Sequence, residues 1–283
     1  FCQGTMPAVD AATGKVLLAE PGRIAASPDG HGGMLAALDR SGSLADMQQR
    51  GIEQVFYFQV DNPMVDVGSP EFLGYHLLSG SELSSQVVAK QDPLERVGNV
   101  VQVDGRLHVI EYSDLPDDVA KQRRNGKLSI WAGSIAVHAF DVEFLARMAG
   151  RSNALPFHVA RKRVPFIDAE GRLVEPPQDA ENAIKFERFI FDLLPSAARA
   201  IVVEVDAARN FAPLKNAPGD KKDTPEAVRD QIVALHREWL QAAGAEVAEG
   251  VDAEISPLFA LDAAEVARKV QPGYRVDSPT FLE

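Results

Sequence analysis

Several polar residues in this sequence of 283 residues have types and positions suited to binding phosphate groups. Residues 27–34 read SPDGHGGM, and their three glycines would let backbone NH groups approach a base or a phosphate closely. Asp61 follows an apolar run, where its carboxylate could hold a magnesium ion that bridges phosphate oxygens. Lys185 and Lys215 could neutralise charge on phosphates and on the transition state of their transfer. The pattern predicts chemistry on a phosphorylated substrate.

Each of these residues also has an ordinary structural role. The glycine-rich segment is compatible with a flexible loop that begins a helix, in which His31 is a hydrogen-bonded loop residue. Asp61 is followed by Asn62 and Pro63 and could close an Asx turn. Glu111, in HVIEYSDLP, could accept hydrogen bonds from sugar hydroxyls or lie solvated at a strand end. Surface lysines usually contact only solvent. The residue types alone leave these alternatives open.

Composition and charge narrow the function classes. The net charge of −12 would repel nucleic acid and anionic lipid, so a polyanionic ligand requires local cations, backbone NH groups or a metal ion. No apolar stretch approaches the roughly 20 residues that cross a bilayer, and the first residues lack the pattern of a signal peptide. No Walker loop, HExxH or GxSxG motif supports an ATPase, a zinc protease or a hydrolase.

The single cysteine, Cys2, rules out an internal disulfide and a zinc site built from clustered cysteines. Such cysteine usage fits a reducing cytoplasm, which is the predicted location. Cys2 itself is expected to be a small core residue.

The pattern of apolar residues predicts an α/β fold with strands that alternate with helices. Residues 52–60 are nearly continuous in apolar character, as expected of a central parallel strand covered on both faces. Residues 86–90 and 200–205 predict two further strands, and residues 99–112 predict a β-hairpin around Asp104-Gly105. We therefore expect a doubly wound, Rossmann-like mixed sheet, in which ligands bind at the carboxyl ends of strands.

Four helices are predicted, at residues 35–49, 141–148, 183–194 and 225–243. In the third, apolar side chains cover nearly all sides, so Lys185 is expected to lie in a buried cleft. The fourth should be capped by Thr224, with Pro225 in its first turn and Gly244 at its end. Residues 218–223 are rich in Pro, Gly and Lys and predict a boundary between residues 1–218 and a small C-terminal domain, residues 219–283.

The order of nine segments resembles one enzyme family. They are FCQGTMPAV, SPDGHGG, VFYFQVDNPMV, VVAKQDPLERVGNVVQVDG, HVIEYSDL, HVARKRVPFIDAEG, IKFERFIFD, FAPLKNA and AEISPL. Their order and approximate spacing resemble those of the UDP-N-acetylglucosamine pyrophosphorylases, within the UDP-sugar pyrophosphorylase family. The resemblance runs nearly end to end. It implies the fold of nucleotide-diphospho-sugar transferases, which is Rossmann-like and similar to GT-A, with residues 1–218 as the nucleotidyltransferase domain.

The resemblance implies a uridylyltransferase that uses magnesium. UTP and N-acetylglucosamine 1-phosphate would give UDP-N-acetylglucosamine and pyrophosphate, with the sugar phosphate oxygen attacking the α-phosphorus in line. The motifs match Gln3 and Gly30 to the uridine part of the nucleotide. They match Asp61 to the nucleotide phosphates and the metal, and Lys185 to the phosphates. The protein would contribute alignment and charge neutralisation.

On the sugar side, the motifs match Gly98 and Glu111 to the sugar and Lys215 to its phosphate. Two positions depart from the N-acetylglucosamine enzymes. His31 stands where those enzymes commonly have Asn, and gives a GHG sequence like that of the UDP-glucose pyrophosphorylases. Ser134, in AGSIAVH, stands where AGNIANH is usual and has a shorter reach. These departures favour an alternative substrate, glucose 1-phosphate or a broader set of sugar 1-phosphates.

A third departure concerns the glycine-rich LxGGxGTRLG loop, which binds the nucleotide in this family and is absent here together with the strand before it. We therefore expect the sequence to begin after that loop and its sheet to lack its first strands. The 283-residue chain would then be inactive alone, while its parent protein is active. A non-catalytic UDP-sugar-binding protein is the remaining alternative, which an upstream reading frame encoding the loop would exclude. The sequence leaves the oligomeric state open.

Overall fold

The computed structural model of the protein describes residues 2–151 and 153–283, and the chain divides into two compact units. The first unit comprises Phe1–Tyr57 and Gly68–Val203, and the second comprises Phe58–Val67 and Glu204–Glu283. The segment that carries Asp61 therefore belongs to the second unit. This division and the predicted boundary at residues 218–219 fall at different positions, and the roles assigned to the two domains stay predictions.

Most elements are short. The helices are α1 Gly33–Arg40, α2 Ser43–Gln49, α3 Pro70–Ser79, α4 Asp117–Ala120, α5 Val142–Ala149, α6 Ala207–Asn210, α7 Pro225–Ala242 and α8 Ala263–Lys269. The first strands are β1 Thr5–Pro7, β2 Val9–Asp10, β3 Leu18–Glu20, β4 Arg23–Ile24, β5 Ala26–Pro28, β6 Gln54–Tyr57, β7 Leu83–Ala89, β8 Gly98–Val103, β9 Arg106–Ile110, β10 Arg123–Arg124 and β11 Lys127–Leu128. The later strands are β12 Ala132–Asp141, β13 His158–Lys162, β14 Phe166–Ile167, β15 Leu173–Val174, β16 Ala183–Glu187, β17 Ala200–Glu204, β18 Glu246–Val247, β19 Ala253–Ile255, β20 Arg275–Val276 and β21 Thr280–Leu282.

A six-stranded sheet is the frame of the first unit. Its strand order is β17–β7–β12–β8–β9, and β6 also pairs with β12. The long strand β12 is antiparallel to β6, β7 and β8. Leucines of α1 and α2 and the apolar face of α5 pack with this sheet in one core, which includes Leu38, Leu83, Phe140 and Phe144. The predicted α/β fold is confirmed.

The prediction of a central parallel strand at residues 52–60 is wrong. The strand is Gln54–Tyr57, its residues are half-buried, and it pairs antiparallel with β12, where Tyr57 faces His138. A continuous apolar run indicates that a strand is buried. It does not indicate whether the partner strand is parallel or antiparallel, because that partner is a segment far along the chain. Asp61 consequently lies beyond the end of an antiparallel strand.

The predicted β-hairpin is confirmed. Strands β8 and β9 pair in register from Asn99 opposite Ile110 to Val103 opposite Arg106. Asp104 and Gly105, which join them, both have positive φ, at 49° and 78°. These angles fit the two-residue turn that Asp-Gly favours, so the local sequence determines this element.

The prediction of one helix over residues 183–194 is wrong. Ala183–Glu187 is strand β16, which pairs antiparallel with β13 on one side and with β2 on the other, and a 3-10 helix follows at Ile190–Ser196. A short apolar segment fits both the helical repeat and the alternation of a strand. Here the segment forms a strand because two distant strands pair with it. The predicted helix over residues 35–49 is two helices, because Gly42 adopts a φ of 76° between α1 and α2.

The second unit has its own core around α7. Thr224 Oγ1 accepts a hydrogen bond from the Ala227 NH group, Pro225 occupies the first turn, and Gly244 has a φ of 86° just past the end, so the predicted caps are confirmed. Two pairs of short parallel strands, β18–β20 and β19–β21, lie in the same unit. Apolar residues of α7, α8 and these strands form one cluster with Leu240 and Val266 at its centre.

Cys2 is exposed, so its predicted place in a core is wrong. It precedes β1 in a segment without regular structure. Among the helices in the described ranges, none combines the length and the apolar character needed to cross a membrane.

Candidate functional site

The glycine-rich segment lies against the end of strand β16. The NH group of Gly32 donates to the carbonyl oxygen of Arg188 at 2.7 Å, and the NH group of Arg188 donates to the carbonyl oxygen of Asp29 at 2.9 Å. Gly30 has a φ of 81°, and a methyl group added there would lie 2.4 Å from the Arg188 carbonyl oxygen. The close approach of two backbones therefore requires glycine at this position.

Gln3 and Gly30, which the motifs match to uridine, lie together. The side-chain amide of Gln3 donates a long hydrogen bond, 3.5 Å, to the carbonyl oxygen of Gly30. The antiparallel pairing of β1 with β5 holds the two segments side by side, with Thr5 opposite Pro28. Two stretches separated by 27 residues thus present polar groups at one place.

Asp29, in the same segment, is a buried carboxylate, and its residue type and position in the sequence did not mark it as a site residue. It is 7% exposed, and its side chain occupies the space that a methyl group on Gly4 or Gly33 would need, at 2.3 Å and 2.2 Å. Its Oδ1 atom has no hydrogen-bond partner among the described residues. The SPDGHGG string contains this residue, but the close approach of Gly4, which lies 25 residues earlier, is not visible in the local pattern.

His31 lies among aromatic rings. Its ring stacks on Phe189 with centroids 5.0 Å apart, and Phe191 and Tyr57 lie 5.6 Å and 6.2 Å away. Its Nδ1 atom accepts a hydrogen bond of 3.3 Å from the Ile190 NH group. Burial, with a smaller contribution from the charge of His158, lowers the pKa of His31 from 6.5 to about 4. The ring is therefore neutral at pH 7, with its proton on Nε2.

The burial of His31 has a measurable effect on stability. Between pH 6.5 and about 4 the unfolded chain binds a proton on this ring and the folded chain does not. The free energy of unfolding should therefore fall as the pH falls through this window, by up to about 1.4 kcal/mol per pH unit. The His31→Asn variant should show a shallower fall in urea unfolding measured from pH 7 to pH 4.5.

His138 is the internal comparison for this experiment. Burial, with a smaller contribution from the charge of His31, lowers its pKa to about 3, and the part that burial causes remains in the His31→Asn variant. An identical pH dependence in the variant and in the unchanged protein would contradict the assignment of a neutral His31.

Two further histidines belong to the same region and were not singled out from the sequence. His158 Nε2 lies 2.7 Å from Asp192 Oδ2, and its ring packs on Phe189 with centroids 4.5 Å apart. Burial raises the pKa of Asp192, while its bond to His158 opposes that rise. His138 is fully buried, and Ser85 Oγ lies 2.8 Å from its Nδ1 atom. The rings of His158 and His138 therefore pack on Phe189 and Tyr57, two of the rings that contact His31.

Gly98 and Glu111, which the motifs match to the sugar, lie together with Ser134, the candidate substrate-binding residue at the position where AGNIANH is usual. Ser134 on β12 is directly opposite Gly98 on β8. A methyl group added to Gly98 would lie 3.5 Å from Glu111 Oε1 and 3.7 Å from the Cβ atom of Ser134. All three are half-buried. We call this group the strand-end cluster. Its carboxylate and hydroxyl oxygens can accept hydrogen bonds from hydroxyl groups of a ligand.

Lys185 lies on strand β16, not on a helix, and is half-buried. It is opposite Ala160 on β13, and it shares a face of the strand with Glu187. The Cβ atom of Glu187 lies 3.1 Å from the position that a methyl group on Gly30 would take. Lys185 therefore lies on the same face of the strand as Glu187, and Glu187 is the residue that contacts the glycine-rich segment.

In the second unit the backbone brings Asp61 beside the loop of Lys215. The NH group of Leu214 donates to the carbonyl oxygen of Asp61 at 2.7 Å, and the NH group of Lys215 donates to that of Asp223 at 2.9 Å. Buried Asn62 fixes this arrangement, because its side chain donates to the Asn210 carbonyl oxygen at 2.8 Å and accepts from the Ala212 NH group at 3.0 Å. The Lys215 side chain is exposed.

Asp61 is half-buried and belongs to no cluster suited to a resident metal ion, since no group of three His, Cys, Asp or Glu residues suited to one occurs in the parts of the chain that are described. Magnesium is commonly held by one or two carboxylates together with substrate phosphates and water. One carboxylate therefore fits a magnesium ion that is bound together with a nucleotide.

Ser84, His76 and Asp141 form a hydrogen-bonded group with the composition of a hydrolase triad, but its serine is not accessible to a substrate. Ser84 Oγ lies 2.8 Å from Nδ1 of His76, and Asp141 Oδ1 lies 3.1 Å from its Nε2. Ser84 is completely buried. The group ties α3 to β7 and β12, and its serine is not a nucleophile.

Comparison with known proteins identifies the family. The sequence profile of the family described as UTP-glucose-1-phosphate uridylyltransferase matches residues 1–220. The chain is 39% identical over 246 residues to UDP-N-acetylhexosamine pyrophosphorylase-like protein 1 of Xenopus tropicalis. The alignment covers 86% of this chain and 48% of that protein. It is also 36% identical over 261 residues to the UDP-N-acetylglucosamine pyrophosphorylase of Saccharomyces cerevisiae. That alignment covers 90% of this chain and 54% of the yeast protein.

A solved structure agrees with these matches. The crystal structure of an Entamoeba histolytica protein described as a UDP-N-acetylglucosamine pyrophosphorylase superposes with a TM-score of 0.89 at 31% identity, covering 99% of this chain and 69% of that one. The chain spans about half the length of the curated relatives it matches. With the strand-end cluster and the glycine-rich segment in place, these matches show that the chain belongs to the UTP-glucose-1-phosphate uridylyltransferase family of UDP-sugar pyrophosphorylases.

Proposed function

We propose that this protein is a uridylyltransferase that converts UTP and N-acetylglucosamine 1-phosphate to UDP-N-acetylglucosamine and pyrophosphate. The observation that supports this most is the strand-end cluster. Gly98 and Glu111 were matched to the sugar from separate motifs, and Ser134 stands in a third segment where AGNIANH is usual. A methyl group on Gly98 would nevertheless lie 3.5 Å from Glu111 Oε1 and 3.7 Å from the Cβ atom of Ser134. The relatives named for UDP-N-acetylated sugars support the same sugar class.

In the proposed reaction an oxygen of the sugar phosphate attacks the α-phosphorus of UTP. One bond forms to this oxygen and the bond to the bridging oxygen of pyrophosphate breaks, so pyrophosphate leaves. Lys185 neutralises charge on the nucleotide phosphates, and Lys215 binds the phosphate of the sugar. Gln3 and Gly30 hold the uridine part. The protein lowers the barrier by alignment and charge neutralisation, without a covalent intermediate.

Asp61 is the residue we propose for magnesium. The ion would supply charge neutralisation at the phosphate oxygens. The carboxylate would hold it in place, supported by the backbone contacts of Asp61 and Asn62 to residues 210–214. We also propose a cytoplasmic location and partners limited to these small molecules, with no nucleic acid, in keeping with the net charge of −12.

Steady-state kinetics with a panel of sugar 1-phosphates test the proposal. Because the chain spans about half the length of its relatives, the assay uses the full-length gene product with UTP and magnesium. We expect kcat/KM for N-acetylglucosamine 1-phosphate to exceed that for glucose 1-phosphate by at least roughly tenfold, the discrimination that a few polar contacts supply. Pyrophosphate release, measured with a coupled enzyme, reports the rate.

Two outcomes would contradict this proposal. Faster turnover of glucose 1-phosphate would assign the alternative sugar, which His31 and Ser134 favour. Binding of UDP-sugars without pyrophosphate release would indicate a binding protein instead of an enzyme.

A further inference from the structure

Lys90, directly after strand β7, is a buried lysine beside the strand-end cluster. The residue is 6% exposed, and lysines are rarely buried without partners. Its ammonium group donates a short hydrogen bond to Asn99 Oδ1 and a longer one, 3.4 Å, to the carbonyl oxygen of Pro93. Burial lowers the pKa of Lys90, and the charges of Glu95 and Asp92 oppose that effect. The group is thus held by defined acceptors.

Asn99 continues this link to the second strand of the hairpin. The residue is 1% exposed, and its amide nitrogen donates to the carbonyl oxygens of Val97 and Ile110, both at 3.3 Å. Asn99 directly follows Gly98, and Ile110 directly precedes Glu111. One buried amide therefore joins the backbone neighbours of two members of the cluster.

The aliphatic part of Lys90 reaches the third member through Gly133. A methyl group added to Gly133 would lie 3.3 Å from Lys90 Cγ and 2.9 Å from Val97 Cγ2, so this side chain packs directly on the backbone of β12. Gly133 pairs with Asn99 and directly precedes Ser134. In addition, the NH group of Lys90 donates to the carbonyl oxygen of Trp131 at 2.9 Å.

These contacts have a common consequence. Each member of the strand-end cluster is adjacent in sequence to a residue that Lys90 or Asn99 contacts. We propose that Lys90 and Asn99 are a positioning pair, which fixes the spacing of Gly98, Glu111 and Ser134 and thereby the affinity for the sugar 1-phosphate. The inference rests on the proposed function, but neither residue is assigned a contact with substrate.

Kinetics of the Lys90→Met variant in the full-length protein are the first test. Met keeps much of the aliphatic packing and removes the ammonium group, so Gly98 and Glu111 lose their fixed spacing. We expect KM for N-acetylglucosamine 1-phosphate to rise roughly tenfold, as is usual when a residue that orients a binding group is lost. KM for UTP and kcat should stay within about twofold of the unchanged protein. Lys127→Met, at an exposed lysine, is the matched control and should leave all three constants unchanged.

A second variant excludes a general loss of stability. Lys90→Met alone leaves Asn99 Oδ1 buried without its donor, which is costly. The double variant Lys90→Met with Asn99→Leu removes that acceptor as well, so only the carbonyl oxygens of Pro93, Val97 and Ile110 lose a side-chain donor. The double variant should melt closer to the unchanged protein and still show the raised KM for the sugar 1-phosphate. Equal increases in KM for both substrates, or a normal KM for the sugar 1-phosphate in the double variant, would overturn the inference.

Hydrogen exchange gives a readout that does not depend on turnover. If Lys90 positions the cluster, Lys90→Met should speed amide exchange roughly tenfold in residues 98–99, 110–111 and 133–134, and not in α1 or α5. Absence of UDP-sugar formation by the unchanged protein would count against the proposed function only. Unchanged exchange at these three strand ends would count against the positioning pair, whatever the activity.

Discussion

Replacement of Lys215 by alanine in the full-length protein is expected to lower kcat by roughly a hundredfold to a thousandfold, the usual effect of removing one group that stabilises developing charge. The side chain is exposed, so little packing is lost and the melting temperature should not change. The backbone of this loop is fixed by hydrogen bonds of Leu214 to Asp61 and of Lys215 to Asp223, so the loop should keep its place in the variant. Pyrophosphate release at saturating UTP and sugar 1-phosphate measures the effect.

Lys221→Ala is the matched control for this prediction, because Lys221 is exposed in the same lysine-containing loop and has no proposed contact with phosphate. It should retain the full rate. A rate for Lys215→Ala within about twofold of that control would show that Lys215 is an ordinary surface lysine.

Gly30→Ala is expected to destabilise the protein by about 3 kcal/mol and to weaken UTP binding strongly. Two effects add. The residue has a φ of 81°, which costs a non-glycine residue about 1 kcal/mol, and the new methyl group would lie 2.4 Å from the Arg188 carbonyl oxygen and 2.7 Å from its nitrogen. Both atoms belong to backbone that is held by hydrogen bonds to Gly32 and Asp29, so they cannot move away cheaply.

Gly105→Ala separates the two effects. Gly105 has a similar φ, 78°, but no atom lies within 4 Å of the position of an added methyl group. Its substitution should therefore cost only the conformational part, about 1 kcal/mol. Urea unfolding of both variants measures the difference, and equal losses would mean that the contact of Gly30 with Arg188 is not tight.

Features that depend on a few neighbouring residues were predictable from the sequence. Asp104-Gly105 between two alternating strands defines a hairpin wherever it lies, because the two positive φ angles are a local requirement. The caps of the helix Pro225–Ala242 are local for the same reason, since Thr224 and Gly244 act on the backbone next to them. The resemblance in short strings such as SPDGHGG also identified the family, which the profile match over residues 1–220 confirms.

Features that depend on distant partners were decided only by the tertiary structure. Residues 183–187 form a strand because β13 and β2 pair with them, and residues 54–57 are antiparallel because their partner is β12. The same holds for burial of Asp29 and Lys90, which single residues in a string cannot reveal. The sequence by itself determined the turns, the caps and the candidate residues. Strand pairing decided which of those residues meet, because the sheet joins segments that no local pattern relates.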